Sequence, residues 1–367
     1  MNFDLSEEQE LFRSSVERFS APINVEARRK LRLSETGYDR ERWQELAELG
    51  LIALAAPEEA GGMGGSAVDL ALVAEAIGHA NSPDPWLEHG VLPALLLAQG
   101  GAEGALEKML SGEQIASFAW TERAQRYNLT ASHMKAEANG DGFALTGEKT
   151  FVMGALLADL FVVTADLEGE TTCFLVPRDT PGLEVRAYRL TDGSIAGELK
   201  LTRVGVSAAA KLTLDPHALA AIVGKIRLYA AAEMVGLGQR LLDDTLAYVK
   251  EREQFGVAIG SFQALQHRLV EAYAKIEQSR SMLYRAALTD RSDSAAWQRA
   301  AAGAKAFIGE NIDAVAREAV QMHGGMGITD ELAIGHAMKR VMVLARLFGD
   351  TDTLLAEYGL AENTLAA

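Results

Sequence analysis

The chain has 367 residues, 49% of them hydrophobic and 23% charged, which is enough for two or three packed units with a sizeable core. Its formal net charge of -16 disfavours nucleic acid and anionic membranes as main partners, while leaving room for a local basic pocket that holds phosphate. Cys173 is the single cysteine, so neither an intrachain disulfide nor a zinc cluster is available, and its simplest reading is a small buried residue. The opening Met1-Asn2-Phe3-Asp4-Leu5-Ser6 lacks the basic and apolar segments of an export signal, and no apolar run is long enough to cross a bilayer. A cytoplasmic protein without a membrane span is the expectation.

Residues 1–114 read as helical. Ser6 and Gln9 have the spacing of a capping box, and Leu11, Phe12, Val16 and Phe19 supply the inner face of the helix they start. A second helix runs from about Asp39 to Leu49, with Gly50 closing it. The glycine-rich Pro57-Glu58-Glu59-Ala60-Gly61-Gly62-Met63-Gly64-Gly65-Ser66 invites a phosphate-cradle reading, but no strand precedes it and no Lys-Ser/Thr follows. It is read as scaffold.

From 115 to 215 the period shortens. Phe143–Gly147, Leu160–Thr164 and Thr171–Val176 are strand-like and separated by turn residues, which predicts a small β-barrel or sandwich between helical regions. From 216 to 367 the pattern is helical again, in four segments of about 217–254, 262–289, 294–321 and 330–363, the makings of an antiparallel four-helix bundle. Gly236 and Gly238 lie mid-helix without the strand and third glycine of a dinucleotide fingerprint, so a Rossmann reading is discarded.

Two stretches interrupt the bundle. The first is Arg252-Glu253-Gln254-Phe255-Gly256-Val257-Ala258-Ile259-Gly260-Ser261-Phe262-Gln263, where Ser261 is a plausible cap for the next helix. Arg252, Phe255 and Gln263 each have ordinary structural readings, yet a cation, an aromatic face and an amide at one turn suit a ligand with both phosphate and a base. The second is Gln321-Met322-His323-Gly324-Gly325-Met326-Gly327, whose glycines permit close backbone approach to an anion or simply end a helix.

Together these strings, R-x-Q-F-G-x-x-I-x-x-F-Q and then Q-x-x-G-G-x-G, resemble signatures of the acyl-CoA dehydrogenase family of flavoproteins. The P-E-E-x-G-G-x-G-G-S loop looks like a scaffold loop of that family. The likeness spans nearly the whole chain and implies a helical N-terminal domain, a β middle domain and a C-terminal four-helix bundle. It further implies α,β-dehydrogenation of an acyl-CoA thioester with FAD as cofactor, and electrons passed to an electron-transfer flavoprotein. On it, Arg252, Phe255, Gln263, Gln321, Gly324 and Gly325 hold the adenosine and pyrophosphate part of an FAD shared with a neighbouring subunit, which requires an oligomer. Thr121 and Phe151 match cofactor-contacting positions of the middle domain, and Arg227 matches a substrate-binding one. His323 is expected to pack near the adenosine end rather than to act on substrate.

Removing the weakly acidic α-proton needs a positioned carboxylate, and the two places where the family keeps one hold Phe348 and Ile226 here. Asp350 is the candidate for a displaced base or for a helix cap, and Glu233 a weaker one. The middle domain also departs from the pattern: Arg123-Ala124-Gln125-Arg126 follows Thr121-Glu122 in place of a glycine-serine loop, and Met153 replaces a hydroxyl. Three outcomes remain open: an active dehydrogenase using Asp350, a catalytically incomplete half-site subunit, or a non-enzymatic assembly protein of the same fold. The second resembles chains of heteromeric dehydrogenases, some acting on steroid or bile-acid side chains.

Overall fold

The structure, a computed structural model, describes residues 5–21, 24–290 and 294–365. Ser6 caps α1 (Glu7–Phe19) in the expected reciprocal way: its Oγ accepts the Gln9 N–H and its own N–H donates to Gln9 Oε1, both at 3.1 Å. After α2 (Val25–Leu33), Asp39 caps α3 (Arg40–Glu48), and Gly50 turns the chain with φ +73°. α4 (Ala67–His79) follows, then a buried π-helical turn at Trp86–Val91 leads into α5 (Leu92–Gln99) and α6 (Glu103–Leu110).

The strands are β1 (Ala116–Ala119), β2 (Lys135–Asn139), β3 (Gly142–Met153), β4 (Leu160–Leu167), β5 (Glu170–Pro177), β6 (Leu183–Arg189) and β7 (Ile195–Ser207). They form one mixed sheet in the order β1-β4-β2-β3-β7-β6, with β5 on the other edge of β4. Phe161, Val163, Phe174, Val176, Leu199 and Val204 fill its core. Helical structure resumes with α7 (Pro216–Glu251), α8 (Gln263–Ala287), α9 (Ser294–His323), α10 (Ala333–Leu344) and α11 (Thr351–Leu365). The single segment expected at 330–363 is therefore two helices, because Phe348 and Gly349 take φ +59° and +127° and break the run. No helix among the described residues is long and apolar enough to cross a membrane.

These elements form two compact units, one of Leu31–Ser66 with Asp84–Ile226, the other of Met1–Lys30, Ala67–Pro83 and Arg227–Ala367. The first holds the sheet. In it the glycine-rich loop uses its own amides: Gly62, Met63, Gly64 and Gly65 N–H donate to carbonyls of Pro57, Ala53, Ala56 and Leu54 at 2.9–3.0 Å. A Cβ at Gly62 would sit 2.0 Å from Ala56 O, so the loop is a tight scaffold.

The second unit is helical, and a glycine on each of two helices lets them cross closely. A Cβ on Gly78 of α4 would meet Glu233 O at 2.0 Å, and one on Gly236 of α7 would meet Glu75 O at 2.0 Å. Gly236, which carries no dinucleotide fingerprint, thus lets α4 and α7 touch backbone to backbone.

Candidate active site

In the helical unit, α7 ends at Glu251 and a two-stranded hairpin, β8 (Glu253–Gln254) with β9 (Val257–Ala258), carries the chain towards α8. Phe255 and Gly256 occupy its turn with φ +56° and +81°, the left-handed pair that closes a two-residue hairpin. The sequence puts glycine second and forces a phenylalanine into the first position, which throws its ring outward: Phe255 is 93% exposed. Its only ring neighbour among the described residues is Phe262, edge-on at 6.3 Å. Ser261 does not cap α8 as expected. Its hydroxyl donates to Ala258 O at 2.7 Å, while Phe262 is the cap residue and offers its carbonyl to Gln266 N–H.

The second motif lies at the same end of the bundle. His323, the last residue of α9, stacks on Tyr248 near the end of α7 with ring centroids 4.2 Å apart and 24° between planes. Its Nδ1 donates to Ala319 O at 2.8 Å, and the ring is buried, so it packs the floor of this end as expected. Arg252 N–H in turn bonds Tyr248 O. Arg252, Gln263 and Gln321 are all exposed, and none has a side-chain partner among the described residues. Gly324 turns with φ +60°, while Gly325 has no positive φ and nothing within 4 Å of where a Cβ would stand. No contact among the described residues requires glycine at 325. A bare backbone there, at the same end of the bundle as an unpartnered guanidinium, an amide and a projecting aromatic ring, suits a large anionic ligand.

The stretch matched to the base is built in the opposite manner. Phe348 is 5% exposed, and its carbonyl accepts Arg227 Nε at 2.8 Å. The rest of the Arg227 guanidinium grips Glu357 of α11 through both terminal nitrogens, at 2.5 and 3.0 Å. Asp350 Oδ1 accepts the Thr353 N–H at 3.0 Å, the geometry of an N-cap on α11. Lys305, 1% exposed on α9, donates to Gly349 O at 2.7 Å and to Ala345 O at 3.3 Å. Burial, and after it the Arg227 charge, brings the Lys305 amine down to about 7 against the pull of Asp350. Glu233 is no candidate base: it is buried and clasped by Arg340 at 2.7 and 3.1 Å. Sequence reading passed over Lys305 and Glu357, whose partners lie far away along the chain.

In the sheet unit, a register shift in β3 between Lys149 and Val152 gives Phe151 φ +54° and leaves it half-buried. Thr121 is placed beside this bulge, its carbonyl accepting Thr150 N–H at 2.8 Å. Directly beneath lies a buried ion pair that the sequence also concealed. Lys149 Nζ donates to Glu122 Oε1 at 2.9 Å, Thr164 Oγ1 at 2.8 Å and Trp120 O at 3.2 Å. Glu122 additionally accepts the amides of Ser132, His133 and Met134 and the Ser132 hydroxyl. Burial pushes the Glu122 carboxyl up, but Lys149 and these amides outweigh it and bring it to about 2. Burial lowers the Lys149 ammonium and raises the nearby Cys173 thiol to about 12, which leaves Cys173 an inert core thiol.

Comparison with known proteins decides the lineage. Residues 6–113, 117–204 and 218–358 match in turn the acyl-CoA dehydrogenase N-terminal, middle and C-terminal domains. A probable acyl-CoA dehydrogenase of Bacillus subtilis, YngJ, is 32% identical over 360 residues, covering 92% of this chain and 93% of its own. The chain belongs to the acyl-CoA dehydrogenase family. Its members are oxidoreductases that use FAD, and the fold agrees with theirs. Among solved structures, the ChsE4-ChsE5 complex of Mycobacterium tuberculosis is similar at TM-score 0.87 and 28% identity, covering 100% of this chain and 99% of the other. PigA with FAD and proline is similar at TM-score 0.90 and 25% identity, covering 100% of both chains.

Proposed function

We propose that this chain works in an oligomer that dehydrogenates an acyl-CoA thioester between its α- and β-carbons, and that it supplies the adenosine end of an FAD site while a related partner chain supplies the base. The observation that carries this reading is the stack of Tyr248 on His323, which brings the stretches bearing the exposed Arg252 and Gln263 and the exposed Gln321 and open Gly325 to one end of the bundle. Arg252 would meet the pyrophosphate, Phe255 would give the adenine a face, and Gln263 and Gln321 would bond to the adenosine part, with Gly324 and Gly325 letting the backbone approach. Thr121 and Phe151 would border the isoalloxazine part. When bound, FAD accepts the hydride from the β-carbon and passes the electrons on to an electron-transfer flavoprotein.

The other half of the reading concerns the proton. Arg227 is engaged by Phe348 and Glu357, and Asp350 by the start of α11, so the turn holds its own shape and offers the apolar Phe348 where a carboxylate is required. A heterotetramer with a base-bearing relative supplies what this turn lacks, in line with the likeness to one of the chains of a two-component complex. A homo-oligomer using Asp350 is the competing reading, and the position of Asp350 directly after Gly349 is what favours it. A cytoplasmic location belongs to the same proposal. Expression alone and beside the product of the neighbouring gene separates the readings. Little flavin and no bleaching by acyl-CoAs alone, with a yellow complex bleached by substrate, is the expected result. Complete bleaching by this chain alone would remove the partner, and colourless protein in both settings would remove the FAD site.

A further inference from the structure

We propose that Lys305 is the positioning residue of the Phe348–Gly349 turn, holding its two flanking carbonyls from below so that the loop between α10 and α11 keeps one conformation. The inference rests on the reading that this turn borders the substrate. Its geometry stands without that reading. The amine is 1% exposed, and Gly349 O at 2.7 Å and Ala345 O at 3.3 Å bracket the turn on both sides of Phe348. Phe348 and Gly349 both have positive φ, and for a phenylalanine that conformation persists only where neighbours impose it. Arg227 holds the Phe348 carbonyl from α7 at 2.8 Å, so two basic side chains from two helices fix three carbonyls, those of Ala345, Phe348 and Gly349. A lysine is a costly way to satisfy two carbonyls, since its charged form loses hydration and faces a second cation.

The charged groups facing Lys305 are Arg227 from α7 and Asp350 from the turn itself, with Glu357 of α11 behind Arg227. Folding holds the amine near 7, and opening the turn to water returns it towards its ordinary 10.5. The opened form therefore binds more protons between these values, and opening becomes harder as pH rises through that window. Below about pH 7 the dependence vanishes, because both forms carry the proton.

Backbone hydrogen exchange on the assembled protein tests this, read at residues 345–353 and corrected for intrinsic rates. Wild-type protection of these amides should rise by up to about tenfold per pH unit from 7 to 9, while that of the Tyr248–His323 end stays level. Lys305→Met should lower turn protection at least tenfold and abolish the pH slope. It should also reduce kcat for acyl-CoA oxidation about tenfold with KM within about threefold, and leave flavin content unchanged. Turn protection that is flat with pH in the wild type, or equal in Lys305→Met, overturns the proposal. If Lys305→Met does not fold, the wild-type pH slope still decides. Loss of flavin from the wild type would sink the functional reading and leave the exchange result standing.

Discussion

Two places in one helical unit match the family's cofactor and base motifs, and they are built on opposite principles. At the Tyr248–His323 end, Arg252, Gln263 and Gln321 project into open space with their polar atoms unspent, and the glycine turn leaves its backbone bare. At the Phe348–Asp350 turn, the carbonyls of Phe348 and Gly349 take basic donors, Arg227 is consumed by Glu357, and an aromatic ring is buried. Exposed polar side chains without a partner in the chain are hydrogen-bonded by water and free to exchange it for a ligand. A self-satisfied array is a frame. On the proposed reading, the first is a docking place for a dinucleotide and the second a frame that lacks a base.

The sharpest way to break this comparison is to give the frame what it lacks. Phe348→Glu places a carboxylate on a turn whose anchors are intact. Acyl-CoA-dependent flavin bleaching by this chain alone, reconstituted with FAD and followed anaerobically, should speed up by about 10²- to 10⁴-fold over wild type, the range a positioned base contributes. No change would mean that the turn lies away from the reacting carbon, or that a base is already in place.

A second measure asks how firmly the sheet unit supports Thr121 and Phe151. Glu122→Leu leaves the buried Lys149 amine without its counter-charge, with Thr164 and Trp120 O as its remaining acceptors, and should cost about 3–5 kcal/mol in denaturant unfolding, the penalty for breaking a buried pair from one side. The folded carboxyl lies near 2, against its ordinary 4.5. Its contribution is therefore whole above about pH 4.5 and is lost as pH falls towards 2, so wild type should lose stability across that window more steeply than Glu122→Leu.

The open end predicts a smaller, ligand-specific loss. Arg252→Ala removes a charge-assisted contact and should weaken FAD by about 1.5–3 kcal/mol in a reconstitution titration, with the unfolding midpoint of the FAD-free protein unmoved. Equal FAD affinity would remove Arg252 from the site. Gly325→Ala serves as its companion, since the added methyl meets nothing within 4 Å in this chain and can be felt only by what docks there.

Why one place was readable in sequence and the other was not follows from the same contrast. The open end is made of two short stretches, Arg252 to Gln263 and Gln321 to Gly325, each with a pattern of residue type and spacing that a string displays. The capping box at Ser6, the strand periods and the helical bundle were legible for the same local reason. The frame is made of long-range pairs: Lys305 meets Gly349 44 residues away, and Arg227 meets Glu357 across 130. No local pattern marks a lysine in an alanine-rich helix as the support of a distant turn. The break of the last helix at Phe348 was hidden as well, because a phenylalanine with φ +59° is a tertiary effect. Glu122 stood beside Thr121 in plain view, yet only the fold of β3 brings Lys149 beneath it.

Asp350 carries the smallest expected effect and the most pointed one. As the cap of α11 it accepts the Thr353 N–H at 3.0 Å, a role that asparagine fills about as well and alanine does not. Asp350→Ala should therefore cost about 1 kcal/mol of stability, and Asp350→Asn only a few tenths. A general base obeys a different rule, since an amide cannot take up a proton at neutral pH and the rate would fall at least about 100-fold with asparagine as with alanine. Turnover that follows the capping order, with Asp350→Asn close to wild type, leaves the base to a partner chain. Equal collapse of both variants, with stability following the cap, would instead place the proton on Asp350 and make this chain a complete enzyme.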